Sequence, residues 1–304
     1  MKLENLRTEQ QNQASARLDL ETPLEIARII HREDRKVALA VEKAIPQIAK
    51  AIEMIAKAIS QGGRLIYVGT GTSGRLAALD AAECPPTFST NPETVQYVIA
   101  GGEKALARAV EFSEDSPELG RRDLAKKKPG KKDVVVGITA SGRTPYTVGA
   151  VEYARKRGAL TMAVVCNRNS KLGRVADIEI VADVGPEVIS GSTRMKAGTA
   201  QKMILNMLST GAMSRLGYVY GNLMVNLQMK NQKLAVRAVT IVQKAASVDL
   251  KSATKALKAA DNRIPVALVM LMRGLNRKQS QQRLKQCKGN VRKAIEGPGI
   301  DNLK

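Results

Sequence analysis

Short apolar runs alternate with stretches of helical length through the first two thirds of the chain. Five runs have the length and the β-branched content of buried strands: residues 65–68, 95–99, 134–138, 160–166 and 178–182. Stretches between them, such as residues 145–157, have the spacing of amphipathic helices. This alternation predicts an α/β fold with a doubly wound, mainly parallel sheet.

Helical patterns flank this alternation on both sides. Isoleucines recur at helical spacing over residues 45–59 and predict a helix that packs on the core before the first strand. Beyond about residue 222 the strand pattern disappears, and helical runs follow at residues 234–246, 252–260, 265–275 and 280–294. We therefore expect a sheet domain with an N-terminal helical segment over residues 1–222, and a small helical domain over residues 223–304.

A loop rich in glycine and hydroxyl groups follows the first predicted strand. Residues 69–74 read Gly-Thr-Gly-Thr-Ser-Gly, and a helix is expected to begin there. Unpaired N–H groups at a helix N-terminus, with the positive end of the helix dipole, attract a phosphate, and Thr72 and Ser73 add hydroxyl donors. Because such turns also occur for packing alone, one loop by itself is weak evidence.

A second loop of this kind follows the run at residues 134–138. Residues 139–145 read Thr-Ala-Ser-Gly-Arg-Thr-Pro, and Thr144 is placed to cap a helix whose first residue is Pro145. Two such loops fit an open α/β sheet that holds its ligand at the carboxyl ends of its strands. The pair favours a phosphate-bearing ligand.

The first loop also has the G-x-G-x-x-G spacing of dinucleotide-binding sites, through Gly69, Gly71 and Gly74. Such a site needs an acidic residue at the end of the next strand to bind the ribose, and the run 95–99 ends in an alanine and two glycines instead. The nucleoside triphosphate motif G-x-x-x-x-G-K-[ST] is absent from the sequence. Neither nucleotide class is favoured.

Composition indicates a globular protein of the cytoplasm. The 304 residues are 44% hydrophobic, which is enough for a full core. Three widely spaced cysteines, at positions 84, 166 and 287, form no metal-ligand pattern and cannot all pair, which indicates a reducing compartment. The N-terminus has no signal-peptide core, and no apolar run is long enough to span a membrane.

The chain is strongly basic, with 49 Lys and Arg against 28 Asp and Glu and a net charge of +21. Residues 230–304 hold 17 basic and 4 acidic side chains, a net of +13, and residues 121–132 hold 7 and 1, a net of +6. The glycine loops lie outside both stretches. Aromatic residues are 3% of the chain, so base-stacking platforms are scarce. We expect a solvated basic face, with no nucleic-acid partner beyond nonspecific attraction.

Carboxylates are the remaining candidate acids and bases. His31 is the only histidine, and its polar surroundings predict a surface position, so Ser–His–Asp and Cys–His catalysis are not favoured. Glu83 is expected to end the helix after the first loop, because Pro85 disfavours helical geometry before it. From spacing alone, Glu83, Glu114 and Glu187 fit surface or capping roles better than catalytic ones.

Four longer motifs resemble a known family: GTGTSGRLAALDAAECPPTF, AGGEKALARAVEFSEDS, ITASGRTPYTVGAVEYAR and SGSTRMKAGTAQKMILNMLSTGAM. The sequence resembles the N-acetylmuramic acid 6-phosphate etherases, of the phosphosugar-binding SIS-domain superfamily, from about residue 8 to residue 295. The resemblance implies an SIS-type fold and a cytoplasmic homodimer. It also implies cleavage of the D-lactyl ether of a phosphorylated amino sugar during cell-wall recycling, with no metal or organic cofactor.

The resemblance assigns roles to individual residues. Glu83, in ECPPTF, matches the family's acid, which protonates the departing lactate and then helps water to add. Glu114, in the EDS motif, matches the base that removes the proton beside the open-chain aldehyde. Residues matched to phosphate binding are Thr72, Ser73, Ser141 and Thr144. Residues expected to line the rest of the site are Ser192, Arg194 and Lys196.

Two features depart from the family pattern, and two alternative functions stay open. Asn226 stands where family members commonly carry aspartate, and the C-terminal domain is more basic than usual. One alternative is a noncatalytic sugar-phosphate sensor similar to the glucokinase regulatory proteins, and the other is a polyanion-binding protein. The presence of both Glu83 and Glu114 favours the enzyme.

Overall fold

The computed structural model of the protein describes residues 6–108, 110, 113–227, 229 and 232–297. The chain divides into two compact units. The first comprises residues 1–82 and 92–209, and the second comprises residues 83–91 and 210–304. The boundary near residue 222 that the sequence suggests stays a prediction about domain organisation.

The first unit is built on the predicted parallel sheet, which is confirmed. Its strands are β1 (Leu65–Gly69), β2 (Val95–Ile99), β3 (Val134–Thr139), β4 (Leu160–Val165) and β5 (Ile178–Val181). They lie in the order β2-β1-β3-β4-β5, and every neighbouring pair is parallel. Every residue of β1 and β3 is buried, which agrees with their continuous apolar sequences.

Helices cover both faces of this sheet, as expected for a doubly wound fold. Within the first unit they are α1 (Pro23–Glu42), α2 (Ile45–Ser60), α4 (Lys104–Ala107), α5 (Pro117–Ala125), α6 (Pro145–Lys156) and α7 (Lys171–Val175). The predicted helix over residues 45–59 is therefore confirmed as α2. Short 3-10 helices precede α1 at Arg7–Glu9, Gln13–Ser15 and Leu18–Leu20.

Two long helices, α3 (Gly71–Phe88) and α8 (Lys196–Arg215), contribute residues to both units. Within the first unit, buried Asp80 of α3 accepts hydrogen bonds from Tyr67 of β1 at 2.8 Å and from Asn206 and Ser209 of α8 at 2.7 and 3.1 Å. Burial raises the pKa of Asp80, and these hydrogen bonds oppose that rise. The network connects both helices to strand β1.

The expectation that α3 ends at Glu83 is wrong. The helix continues through Pro85 and Pro86 to Phe88. Proline removes a backbone donor and normally breaks a helix. Here Cys84 and Phe88 are buried, at 2% and 5% exposed, and this burial stabilises the final turns.

The second unit contains the predicted C-terminal helices α9 (Gln232–Ala246), α10 (Leu250–Ala259), α11 (Ile264–Arg273), α12 (Arg277–Gln286) and α13 (Val291–Glu296). The run at residues 280–294, which we expected to be one helix, is interrupted. Gly289 has φ +83°, and the Asn290 side chain caps α13 by accepting from the Lys293 N–H. The lysines of α10 at positions 251, 255 and 258 are exposed on one face.

Asn226 forms two hydrogen bonds within the second unit, and one of them requires its side-chain amide. The side-chain nitrogen donates to the Tyr218 carbonyl at 2.8 Å, and the backbone carbonyl of Asn226 accepts from the Ser89 hydroxyl. An ionised aspartate has no donor for the Tyr218 carbonyl.

No helix in the described part of the chain has the length and apolarity needed to cross a membrane.

Gly142 and Gly102 provide a matched test of packing in the loops. Their φ angles are +70° and +66°, but a Cβ at Gly142 would lie 2.3 Å from Ser170 Cβ, whereas a Cβ at Gly102 would meet no described residue within 4 Å. We expect Gly102→Ala to lower the free energy of unfolding by about 1–2 kcal/mol through the left-handed backbone alone. Gly142→Ala should cost about 1–3 kcal/mol more from overpacking. Urea denaturation measures both, and equal losses would contradict the close contact.

Candidate active site

The two glycine- and hydroxyl-rich loops lie side by side, because they follow neighbouring strands. The first follows β1 and the second follows β3, and these strands pair with Gly69 opposite Ile138. Successive strands are added to the sheet in opposite directions on the two sides of this pair: β2 lies beside β1, and β4 lies beside β3. In open α/β sheets such a switch point forms a crevice at the carboxyl ends of the strands.

In the first loop the hydroxyl side chains have different environments. The Ser73 hydroxyl is buried and donates to Gln201 Oε1 of α8 at 2.9 Å. Thr72 is half-buried, and a Cβ at Gly198 of α8 would lie 3.4 Å from its methyl group. The start of α8 therefore packs directly against the candidate phosphate loop.

In the second loop the hydroxyls form a local network. Thr144 is the N-terminal cap residue of α6, as predicted, but its side chain does not cap the helix. Instead its hydroxyl is 2.8 Å from the Thr139 hydroxyl, which is also 3.3 Å from Ser141 Oγ. Ser141 Oγ accepts from the Arg143 N–H at 3.2 Å. Ser141 and Thr144 are half-buried, so this polar cluster lies at the edge of the loop.

Glu114 contacts the first loop and the start of α6, which directly follows the second loop. Its exposed carboxylate accepts a hydrogen bond from the Thr70 hydroxyl of the first loop at 3.2 Å. Its backbone carbonyl accepts from the Tyr146 N–H, at the start of α6, at 3.0 Å. These contacts bring one candidate catalytic carboxylate into the crevice where the candidate phosphate residues lie.

Lys196 is buried at the start of α8, and its ammonium group pairs with a carboxylate. Its Nζ lies 2.6 Å from Glu33 Oε2 of α1, and the two side chains are 1% and 3% exposed. Glu33 also accepts from Lys36 at 2.5 Å. Burial by itself would raise the pKa of Glu33, but the hydrogen bonds from Lys196 and Lys36 outweigh it and lower the pKa to about 2.

Glu187 fixes the backbone at the same helix start. Its carboxylate accepts from the N–H groups of Lys196 and Ala197 at 3.0 and 2.9 Å, and the side chain is fully buried. Burial raises the pKa of Glu187, and the two backbone hydrogen bonds oppose that rise. The sequence predicts a surface or capping role for Glu187. Its burial contradicts the surface position, and its two backbone contacts fit the capping role. In the loop between, Ser192 is half-buried and Arg194 is exposed.

Glu83 lies on the part of α3 that belongs to the second unit, and its side chain is exposed. It follows Ser73 by ten residues on the same helix, which corresponds to about 15 Å along the axis. Its role as the acid stays a prediction. Among the described residues, no group of three His, Cys, Asp or Glu side chains could hold a metal ion.

Family comparisons agree with the fold. Residues 121–211 match the SIS domain, and residues 47–155 match the glucokinase regulatory protein N-terminal SIS domain. A phosphoheptose isomerase from Francisella tularensis has the same fold, with a TM-score of 0.52 and 18% sequence identity, covering 64% of this chain and 100% of that one. The fold and its two loops thus define an SIS-domain protein.

More similar sequences identify the particular family. An N-acetylmuramic acid 6-phosphate etherase of Clostridium beijerinckii is 50% identical over 302 residues, covering 99% of both chains. An enzyme of the same name from Aliivibrio fischeri is 50% identical over 293 residues, covering 96% of this chain and 98% of its own. The chain belongs to the N-acetylmuramic acid 6-phosphate etherase family.

Three residues of this region were missed from the sequence: Thr70, Gln201 and Glu33. Thr70 lies within the first loop, and nothing in the sequence indicates that its hydroxyl donates to Glu114. Nothing in the sequence distinguishes Gln201 from the other residues of the motif that begins at Ser190. Glu33 did give one, because it shares a face of α1 with buried Ile29 and Val37 at helical spacing. A carboxylate on an apolar face needs a buried partner.

Loss of the Lys196 ammonium should destabilise the first unit. We expect Lys196→Met to lower the free energy of unfolding by about 3–5 kcal/mol at neutral pH, because it removes the buried partner of Glu33 and leaves the carboxylate paired only with exposed Lys36. Adding Glu33→Leu to Lys196→Met should restore much of this loss. Guanidinium denaturation of the three proteins measures the difference, and an undiminished stability in Lys196→Met would show that the pair is not needed.

The same pair predicts an acid dependence. The folded pKa of Glu33, about 2, lies below the ordinary value of 4.5. Its contribution to stability is therefore complete above pH 4.5 and declines as the pH falls toward 2. The double variant should lack this component of the decline, which a comparison of unfolding curves across that range measures.

Proposed function

We propose that this protein cleaves the D-lactyl ether of N-acetylmuramic acid 6-phosphate, yielding N-acetylglucosamine 6-phosphate and D-lactate. Family membership at 50% identity over nearly the full length is the observation that carries the proposal. The local geometry supports it, since a carboxylate lies beside two hydroxyl-rich loops at a strand-order switch point. We also propose that the enzyme works in the cytoplasm, in the recycling of cell-wall amino sugars.

The proposed reaction is an elimination followed by a hydration. In the open-chain sugar the aldehyde makes the proton on the adjacent carbon acidic. A base removes this proton, and the carbon–oxygen bond to lactate breaks with the electron pair leaving on oxygen, which takes up a proton. Water then adds to the resulting unsaturated aldehyde and restores a hydroxyl where the ether was. This route requires one base and one acid.

The residues would divide this work as follows. Thr72, Ser73, Ser141 and Thr144, with the N–H groups at the starts of α3 and α6, would bind the phosphate. Glu114 would act as the base, which its contact with Thr70 beside that site supports. Glu83 would act as the acid. Ser192 and Arg194 would line the sugar site, with Lys196 contributing through its buried position at the start of α8.

We further propose a homodimer in which Glu83 serves the phosphate site of the partner subunit. The separation along α3, about 15 Å from Ser73, is longer than one hexose phosphate comfortably spans. A two-fold interface is self-complementary and would create two such shared sites.

A regulatory protein that senses sugar phosphates is the second candidate. The match of residues 47–155 to the glucokinase regulatory protein domain is the observation that favours it. The relatives with 50% identity over nearly the whole chain carry the etherase name instead, which favours the enzyme.

The roles of the two glutamates can be separated by isotope exchange. Purified protein should release D-lactate from N-acetylmuramic acid 6-phosphate, and loss of either carboxylate should reduce that rate by about 10²–10⁴. Glu83→Gln should still exchange the proton beside the aldehyde with solvent deuterium, whereas Glu114→Gln should not. Glu118→Gln, at an exposed carboxylate near Glu114, is the matched control and should keep both activities.

Two results would contradict these assignments. Equal loss of exchange in both variants would remove the division of roles. Absence of lactate release by the wild-type protein, with binding of the sugar phosphate retained, would favour the regulatory alternative.

Subunit mixing tests the shared site. Glu83→Gln and Ser73→Ala/Ser141→Ala chains should each be inactive, yet mixed dimers should contain one intact site and recover part of the activity. Recovery is measured as D-lactate release after subunit exchange, with each variant alone as the control. Verified mixed dimers that stay inactive would mean that each site lies within one chain.

A further inference from the structure

Gln201 of α8 contributes a buried amide to the first loop without satisfying all of its hydrogen bonds. The side chain is 1% exposed, and its Oε1 accepts from the Ser73 hydroxyl at 2.9 Å. Its Nε2 is buried and has no hydrogen-bond partner within the described chain. A buried N–H group without an acceptor is unfavourable, and most such groups in native proteins are paired.

The position of Gln201 is set by strong contacts one turn earlier on the same helix. Glu187 holds the backbone of Lys196 and Ala197, and the Lys196 ammonium pairs with buried Glu33. Gly198, between these contacts and Gln201, has no side chain to separate α8 from Thr72. The Gln201 amide is therefore held against the loop by the frame of the first unit.

The hydrogen bond to Gln201 determines where the Ser73 proton is directed. When Ser73 donates to Oε1, its single hydroxyl proton is directed into the protein and is unavailable to an anion. Rotation of the Gln201 amide by half a turn exchanges its oxygen and nitrogen. Nε2 then donates to Ser73 Oγ, and the Ser73 proton is free to bond to a ligand. The second arrangement gives the buried Nε2 an acceptor and takes the Ser73 donor away from Oε1.

We propose that Gln201 is a positioning residue for phosphate binding, which acts through Ser73. In one arrangement, seen in this structure, the amide accepts from Ser73. Binding of the phosphate group of the sugar selects the rotated amide, so that a chain of hydrogen bonds runs from Gln201 through Ser73 to a phosphate oxygen. This inference rests on the proposed function, because it takes the first loop to be the phosphate site.

The test compares ligand affinity and stability in the same variants. Gln201→Met keeps the length of the side chain but removes both polar atoms. It should weaken binding of N-acetylglucosamine 6-phosphate by up to about tenfold, because Ser73 loses the neutral hydrogen bond from Gln201 Nε2 that holds its hydroxyl toward the ligand. KM should rise by a similar factor with kcat nearly unchanged. The unfolding temperature without ligand should not fall, because the unpaired buried donor is removed as well.

Gln201→Glu provides a second variant, in which the side chain can accept hydrogen bonds but cannot donate them. A carboxylate only accepts hydrogen bonds, so it keeps the Ser73 proton directed inward and should weaken binding more than Gln201→Met does. A double-mutant cycle identifies the path of the effect. In a Ser73→Ala background, Gln201→Met should cause no further loss of affinity, because the residue it acts through is already absent.

Asn206→Leu is the matched control, since it also removes an amide from α8. Asn206 donates to buried Asp80 rather than to the loop. Its loss should lower the unfolding temperature and leave the affinity for N-acetylglucosamine 6-phosphate unchanged. A purely structural role for Gln201 would make Gln201→Met behave in the same way, and that result would overturn the inference.

The remaining outcomes separate this inference from the proposed function. If wild-type protein binds N-acetylglucosamine 6-phosphate and Gln201→Met binds it equally well, only the role of Gln201 is refuted. If Gln201→Met and Ser73→Ala have additive effects on affinity, Gln201 does not act through Ser73. If wild-type protein neither binds this sugar phosphate nor releases lactate, the proposed function itself fails.

Discussion

The pairing of β1 with β3 is the constraint on which the candidate site depends. These strands are separated by 64 residues along the chain, yet Gly69 lies opposite Ile138 in the sheet. Because the strands are parallel and end at the same level, the loops that follow them begin side by side. Each loop alone is a common strand-to-helix turn. Their adjacency places two helix N-termini and several hydroxyl groups together at the carboxyl edge of the sheet.

Buried ionic groups fix the start of α8, which packs against the first loop. Glu187 binds two backbone N–H groups at the start of α8, and Lys196 pairs with Glu33 of α1. Burying these charges costs solvation free energy, so such pairs are poor evidence for stability alone. Their directional contacts specify one position for α8 along its axis. That position brings Gln201 to Ser73. Apolar contacts, which are not directional, would define the position of α8 less sharply.

The two units differ in chemical character. The first contains the crevice and the buried polar groups around it. In the second, residues 232–297 carry 15 Lys and Arg against 3 Asp and Glu. The lysines of α10 are exposed, which permits this excess without burying charge. A net charge of this size favours solubility and nonspecific attraction to anions, but it does not require a specific partner.

The sequence by itself determined the alternation of strands and helices, the two loops and the family, because these follow from local periodicity and contiguous motifs. Tertiary structure decided what depends on distant residues. The helix α3 continues through Pro85 and Pro86, because burial of Phe88 and Cys84 stabilises turns that proline disfavours locally. Tertiary structure also paired Glu33 with Lys196, 163 positions away, and Ser73 with Gln201, 128 positions away. Hydrogen bonds and ion pairs across such separations leave no local pattern, because only folding brings the partners together.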